Sequence, residues 1–291
     1  MTKRQKLTKH FNQYEKLTLK NPKYLRQVKR LTEDFLAEDL DTRGDITSDT
    51  VIKGNPKVTA IVKAKENGIV AGLEETKWFL TSYKLQATSY KKDGNKVGKG
   101  EKIFQLKGGI KDVLKIERTI LNLLQRMSGI ATQTTKLVKL THGKVLICPT
   151  RKTQWGLLDK KAVVLGGGGT HRLGLYDWIL VKDNHITHSK TYNLKPITSF
   201  WEIEAKTKKQ VLEFAKLNPD AIMFDNFKPK NIKGILEDTE ILRYSKDIIF
   251  EVSGGITEKN ITEYAKTGVD IISLGSLTHS TKALDISLDI I

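Results

Sequence analysis

Apolar and polar positions alternate along this chain in two distinct rhythms. From Gln27 to Leu40, Val28, Leu31, Phe35, Leu36 and Leu40 recur at the spacing of an amphipathic helix. The turn-rich GDITSDT follows, and then come the strand-like runs VTAIVKA (58–64), GIVAG (68–72), KLQATSYKK (84–92) and EKIFQL (101–106). KKDGNKVGKG and KGG punctuate these runs, and a helical pattern covers Leu73–Ser82. The segment predicts a small α+β domain. From Lys111 the pattern becomes one long amphipathic helix, with a break expected near Ser128–Gly129. Beyond it lie six short apolar runs separated by helical stretches: VLIC (145–148), WILV (178–181), FWEIEA (200–205), AIMF (221–224), IIFEV (248–252) and IISL (271–274). Such runs are short for core helices and are bounded by polar turns, so they read as buried parallel strands. Their alternation with helices predicts an α/β unit, wound either as a barrel or as an open sheet.

Composition narrows the class without naming a function. At 291 residues, with 38% hydrophobic and 29% charged residues, the chain can bury a sizeable core. It contains no apolar run of membrane-spanning length, and its basic N-terminus has no apolar segment behind it, so neither a membrane span nor a secretory signal is expected. Cys148 is the only cysteine, which excludes an intrachain disulfide and suits a cytoplasmic home. Residues 1–23 read as a basic extension of uncertain order, peripheral to the rest. The formal net charge of +17 raises the question of a polyanionic partner. The lysines are scattered, however, with no zinc-finger spacing and no aromatic RNA-binding signature, so a lysine-rich solvated surface is the simpler reading.

The informative feature is positional. Nearly every run is followed at once by groups suited to anions or sugar hydroxyls. VLIC leads to Pro149-Thr150-Arg151-Lys152-Thr153, WILV to Lys182-Asp183-Asn184-His185, and AIMF to Asp225-Asn226; FWEIEA carries Glu204 near its end. IIFEV leads to Ser253-Gly254-Gly255, and IISL to Gly275 with His279 just beyond. In α/β barrels the C-terminal strand ends converge on one face, where active sites are built. Each cluster also has a plainer use. Arg151 and Lys152 suit a solvated surface, Glu204 and Asp225 suit helix caps, and Ser253-Gly254-Gly255 suits a tight turn. The Gly-rich turn before the helical stretch TEKNITEYAK favours phosphate. The run Gly166–Gly169 before Thr170-His171-Arg172 is neither a Walker loop nor a dinucleotide fingerprint. Its His-Arg pair offers a donor and a planar fork suited to carboxylate.

Taken together, AEDLDTRGDIT (37–47), GIVAGLE (68–74), IERTILNLLQRMSGIAT (116–132), TRKT (150–153), GGGGTHRLGLYDWILVKDNHI (166–186), WEIEA (201–205), IMFDN (222–226), VSGGI (252–256) and SLGSLTHS (273–280) resemble quinolinate phosphoribosyltransferase, also called carboxylating nicotinate-nucleotide pyrophosphorylase. The likeness runs from about Tyr24 to the C-terminus. It implies an incomplete α/β barrel of about six strands (124–280) beside an N-terminal α+β domain (24–123), with 281–291 returning to that domain as a strand. It implies transfer of phosphoribose from phosphoribosyl pyrophosphate to quinolinate with loss of CO2, giving nicotinate mononucleotide for NAD synthesis. By position, Arg151, His171, Arg172 and Lys182 would bind the quinolinate dianion, with Arg118 reaching in from the partner of a homodimer that shares its active sites. Lys152 would meet the pyrophosphate. Glu204 and Asp225 would hold ribose hydroxyls and Mg2+, and Ser253, Gly254, Gly255, Gly275 and His279 would hold the 5′-phosphate.

Two departures bear on the substrate. After TRKT the familiar Thr-Pro-Gly-Leu-Arg is replaced by Gln154-Trp155-Gly156-Leu157-Leu158, and Pro149 stands where Asp is often found. The rival readings are a paralogue of the same fold associated with molybdenum transport, and a non-catalytic polyanion- or RNA-binding protein. Tyr176-Asp177 looks closer to the quinolinate enzymes, and carboxylates at Glu204 and Asp225 would oppose a phosphate backbone.

Overall fold

The computed structural model describes residues 1–188, 200–244 and 246–291. The chain forms two compact units: Met1–Gln13, Lys136–Gln154 and Gly167–Ser280 in one, and Tyr14–Thr135, Trp155–Gly166 and Thr281–Ile291 in the other.

The first unit is built on all six apolar runs. Strands Leu146–Pro149, Ile179–Val181, Trp201–Ala205, Ala221–Asp225, Ile249–Ser253 and Ile271–Leu274 form one parallel sheet. Its spatial order is 146–149, 271–274, 249–253, 221–225, 201–205, 179–181. The first two strands in the chain are thus the two edges, and the barrel is incomplete, as expected. Ala221 lies opposite both Glu202 and Ile249, and Glu251 opposite both Met223 and Ile271. Because side chains alternate along a strand, positions 221, 223 and 225 share one face, as do 249, 251 and 253. Cys148, Leu180, Ala221, Met223, Ile249 and Ile271 pack in one buried cluster with Trp178 and Phe200.

Phe11 joins that cluster, and this corrects the reading of the N-terminus as a peripheral extension. Lys3–Phe11 is a helix closed by a Thr2–Gln5 capping box. Phe11 is fully buried, and its ring lies 5.4 Å from both His171 and Trp178 and 5.6 Å from Phe200. Its carbonyl accepts from the Thr170 amide at 2.6 Å. Lys3 pairs with Asp270 and Lys6 with Asp220, each at 2.7 Å. Asp220 and Asp270 also accept the Trp201 and Phe250 amides, tying adjacent strand starts together. The basic residues there are anchors for an otherwise short apolar helix.

In the second unit, strands Ile286–Ile290, Lys57–Ala64, Lys102–Gly109 and Gln86–Ser89 form an antiparallel sheet in that order. The C-terminal segment therefore pairs with Lys57–Ala64, as expected. Gly68–Ile69 pairs with Lys96–Val97. The first long helix, Pro22–Leu40, begins before the apolar periodicity does, because Asn21 caps the Lys23 amide and Pro22 presets the first turn. Helix Ile110–Leu140 runs without the expected break. A Cβ on Gly129 would lie 2.2 Å from the Lys282 carbonyl oxygen, so this glycine serves a close crossing of backbone.

Leu157–Leu165, which follows the departure from the family pattern, also packs in this unit. Asp159 receives two hydrogen bonds from Arg126, at 2.9 and 2.8 Å, and one from the Trp155 amide at 3.0 Å. The Trp155 ring lies 5.3 Å from that of Phe35 and 5.0 Å from the Arg126 guanidinium. Lys161, fully buried, is held by Glu74 and by Glu75 at 2.5 Å, and Glu75 accepts from Tyr24 Oη at 2.6 Å. Burial alone would discourage the Lys161 charge, but the two carboxylates push its pKa up. Among the described residues no helix is long and apolar enough to cross a membrane.

Candidate active site

At the C-terminal ends of the six strands lies a cavity of about 740 Å³, a volume typical of small-molecule sites. Twelve of the thirteen residues expected from sequence line it: Arg151, Lys152, His171, Arg172, Lys182, Glu204, Asp225, Ser253, Gly254, Gly255, Gly275 and His279. All belong to the barrel unit. Arg118 is not among them; it is exposed on helix Ile110–Leu140 in the other unit.

One part of the cavity wall is mainly backbone. After strand Ile249–Ser253 the chain turns through Gly254 and Gly255, with φ of +92° and +64°, a region costly for side-chain-bearing residues. A Cβ on Gly254 would lie 2.2 Å from Asn226 Oδ1. Asn226 itself has φ +59°, and its amide donates to the Ser253 carbonyl at 2.9 Å. The expected helix does not begin at this turn. It starts only at Ile261, because Asn260 ties off a separate turn by accepting the Thr257 amide and donating to the Gly255 carbonyl. The glycine turn, not a helix end, therefore presents the amides here. At the next strand end, a side chain on Gly275 would crowd His279 at 3.1 Å and Lys152 at 3.2 Å. Thr278 Oγ1 donates to the Lys152 carbonyl at 2.8 Å, fixing the TRKT loop to the 271–279 segment.

Charged side chains of both signs line the rest of the wall. Lys182 Nζ donates to Glu204 Oε2 at 2.8 Å, and Asn226 Nδ2 to Asp225 Oδ1 at 2.9 Å. Arg172 is nearly buried, and burial together with the neighbouring Arg151 lowers its pKa from the ordinary arginine value. Like charges this close disfavour each other. Asp183, named after WILV but given no role, and Lys206, which sequence reasoning missed, also line the cavity and pair at 2.5 Å. Lys206 directly follows the run FWEIEA, so the same positional rule could have found it.

It also missed Glu251 and Ser273, which sit deeper. His171 Nδ1 accepts the Arg172 amide at 2.8 Å, and His171 Nε2 lies 3.2 Å from Glu251 Oε1. Ser273 Oγ donates to the same Glu251 oxygen at 2.5 Å. Both histidine nitrogens are thus engaged within the protein, and His171 has φ +51°. Through Nδ1 it holds the backbone amide of Arg172.

Comparison with known proteins agrees with this geometry. The quinolinate phosphoribosyl transferase C-terminal domain model matches residues 130–289, and the N-terminal domain model matches 45–128. The chain belongs to the quinolinate phosphoribosyltransferase family. It is 41% identical, over 91% of its length and 93% of the relative's, to a probable nicotinate-nucleotide pyrophosphorylase [carboxylating] of Bacillus subtilis. It is 36% identical, over 95% of its length and 86% of the relative's, to quinolinate phosphoribosyltransferase [decarboxylating] 2 of Nicotiana glauca. The solved nicotinate-nucleotide pyrophosphorylase of Francisella tularensis superposes with a TM-score of 0.81 at 35% identity, covering 91% of this chain and 96% of that one.

Proposed function

We propose that this chain transfers phosphoribose from phosphoribosyl pyrophosphate to quinolinate, with loss of CO2, to give nicotinate mononucleotide and pyrophosphate in de novo NAD synthesis. The observation that carries this reading is the convergence of Arg151, Arg172 and Lys182 with Glu204, Asp225 and the Gly254-Gly255 turn around one cavity. A dicarboxylate needs the cations, a phosphorylated sugar needs the turn, and a sugar that becomes cationic in the transition state needs the acids.

In this reading Arg151, Arg172 and Lys182 hold the two carboxylates so that the pyridine nitrogen faces the anomeric carbon. Ser253, Gly254, Gly255, Gly275 and His279 take the 5′-phosphate, and Lys152 meets the pyrophosphate as it leaves. Glu204 and Asp225 favour positive charge growing on the ribose. Once the ring nitrogen is quaternary it stabilises the electron pair left when CO2 departs, so no nucleophilic side chain is required. Glu204 and Asp225 also fit a Mg2+ ion: they are hard oxygen donors on adjacent strands, and each accepts a side-chain hydrogen bond through one oxygen. When bound, the ion would neutralise part of the pyrophosphate charge. Arg118, exposed on its helix, is assigned to the neighbouring subunit's cavity in a homodimer. The buried, unbridged Cys148 accords with a reducing cytoplasm. The RNA-binding alternative gains no support, since the cavity mixes carboxylates with its cations, and the molybdenum-associated one gains none, since the relatives matched over most of the chain carry quinolinate or nicotinate-nucleotide names.

Purified protein given quinolinate, phosphoribosyl pyrophosphate and Mg2+ should form nicotinate mononucleotide, followed by absorbance. Nicotinate, with one carboxylate fewer, should be a poor acceptor. Arg151→Ala and Lys182→Ala should each lower kcat/KM by at least a hundredfold, about 2.7 kcal/mol, without loss of fold. Near-normal turnover in both variants would refute the assignment.

A further inference from the structure

Arg172 is held loosely at its charged end. Its buried Nε has no hydrogen-bond partner among the described residues, and Nη1 reaches the Trp178 carbonyl at 3.5 Å, near the limit of a hydrogen bond. A guanidinium in this state keeps its planar donors for a bound carboxylate. Its position must then come from the main chain that carries it.

That main chain is tied residue by residue. The Gly169 amide donates to the Ile147 carbonyl at 2.8 Å and the Thr170 amide to the Phe11 carbonyl at 2.6 Å. The Arg172 amide donates to His171 Nδ1 at 2.8 Å, and the Leu173 amide to Asp177 Oδ2 at 2.9 Å. The Phe11 carbonyl can approach because position 169 is glycine: a Cβ there would lie 2.5 Å from its oxygen. His171 sits at φ +51°, a conformation that a residue with a side chain keeps only where its surroundings over-determine it. The tie beyond it, Asp177, is itself gripped. Gln13 is 1% exposed, and its Nε2 donates to the same Asp177 Oδ2 at 2.5 Å and to the His10 carbonyl at 3.0 Å, so both amide hydrogens are used. The Gln13 backbone amide donates to Thr170 Oγ1 at 3.3 Å. Residues 11–13 thus hold the His171-Arg172 pair on both sides, directly at Thr170 and through Asp177 at Leu173.

We propose that Asp177, braced by Gln13, is a positioning residue for Arg172: its carboxylate fixes the Leu173 amide, and with it the main chain from which the guanidinium reaches a substrate carboxylate. The inference rests on the quinolinate reading of the cavity. Neither Asp177 nor Gln13 lines that cavity, so they act on a ligand through the segment they hold. All of these residues lie in the barrel unit. Tolerance for misplacement is small, because a planar fork captures a carboxylate only when both of its donors meet the oxygens.

The test is steady-state kinetics of the full-length protein carrying Asp177→Ala, Asp177→Asn, Gln13→Met, or Asp177→Ala together with Gln13→Met. Asp177→Ala removes the acceptor and should raise KM for quinolinate about tenfold or more, with kcat and KM for phosphoribosyl pyrophosphate little changed. Asp177→Asn keeps an oxygen for the Leu173 amide and should stay close to wild type. Gln13→Met removes only the brace. It should raise the same KM about threefold by itself and add nothing beside Asp177→Ala, because it acts through that carboxylate. An unchanged KM in Asp177→Ala would overturn the proposal, as would additive effects in the double variant. So would an Asp177→Asn protein as poor as Asp177→Ala, since charge and not the tie would then matter, or equal losses in kcat and both KM values. Hydrogen exchange read by mass spectrometry is independent of turnover. Peptides spanning 169–177 should exchange faster in Asp177→Ala and Gln13→Met, with the strands of the parallel sheet unchanged, and unaltered exchange would sink the idea. If Asp177→Ala does not fold, Gln13→Met and Asp177→Asn decide by the same readouts. If wild type does not turn over quinolinate, the functional reading fails, and the exchange data still decide whether Asp177 and Gln13 hold the segment.

Discussion

At the scale of single residues, the site depends on positions where only one side-chain type is tolerated. Gly254 has φ +92° and no room for a Cβ, which would lie 2.2 Å from Asn226 Oδ1. Gly254→Ala must therefore shift the turn that offers its amides, at a cost of about 1–3 kcal/mol in local strain. The expected outcome is a rise of roughly tenfold or more in KM for phosphoribosyl pyrophosphate, with KM for quinolinate little changed, measured by steady-state kinetics. The residues facing the cavity mouth were legible because polar or glycine residues at or just after nearly every apolar run have few other reasons to recur so regularly. Glu251 and Ser273 were not, because they lie inside the runs IIFEV and IISL, where the only sequence trace is a polar residue at a buried period.

At the scale of elements, the six strands were legible from their apolar runs, and each lies within a residue or so of where the pattern put it. Long-range contacts were not. Gly129 looks like a helix breaker by local propensity, yet it is a crossing point for the 282–284 backbone within an unbroken helix. The first thirteen residues contain few apolar positions, so nothing local reveals that Phe11 fills the barrel interior. Its large buried area decides the next prediction. Phe11→Ala should destabilise the protein by about 3–5 kcal/mol, read by urea unfolding, because it removes the ring and leaves a cavity among Trp178, Phe200 and His171. Lys3→Ala, which removes a pair with Asp270 that is partly solvated, should cost only about 0–1 kcal/mol. A Phe11→Ala value near that of Lys3→Ala would show that the N-terminal helix is an accessory after all.

At the scale of the whole molecule, the charge balance explains what the site takes and what it leaves to a partner. The net +17 is spread along the chain, whereas the cavity itself mixes five lysines and arginines, Arg151, Lys152, Arg172, Lys182 and Lys206, with the carboxylates Asp183, Glu204, Asp225 and Glu251. Its surplus of cations is thus small for a ligand pair that brings a dicarboxylate and several phosphate charges. A further cation would redress this, and Arg118, exposed on helix Ile110–Leu140, is the candidate we assign to the neighbouring subunit's site. This can be separated from a purely structural role by complementation. Arg118→Ala and Lys182→Ala should each be nearly inactive alone. If Arg118 acts across the dimer, each mixed dimer pairs one site carrying both lesions with one carrying neither. Random subunit exchange makes half the dimers mixed, and half of their sites intact, so activity should recover to about a quarter of the wild-type value. If Arg118 served its own chain's site, every site in a mixed dimer would carry one lesion and nothing would recover. Native mass spectrometry of the same mixture confirms the exchange, so a silent mixture that contains mixed dimers refutes the shared site.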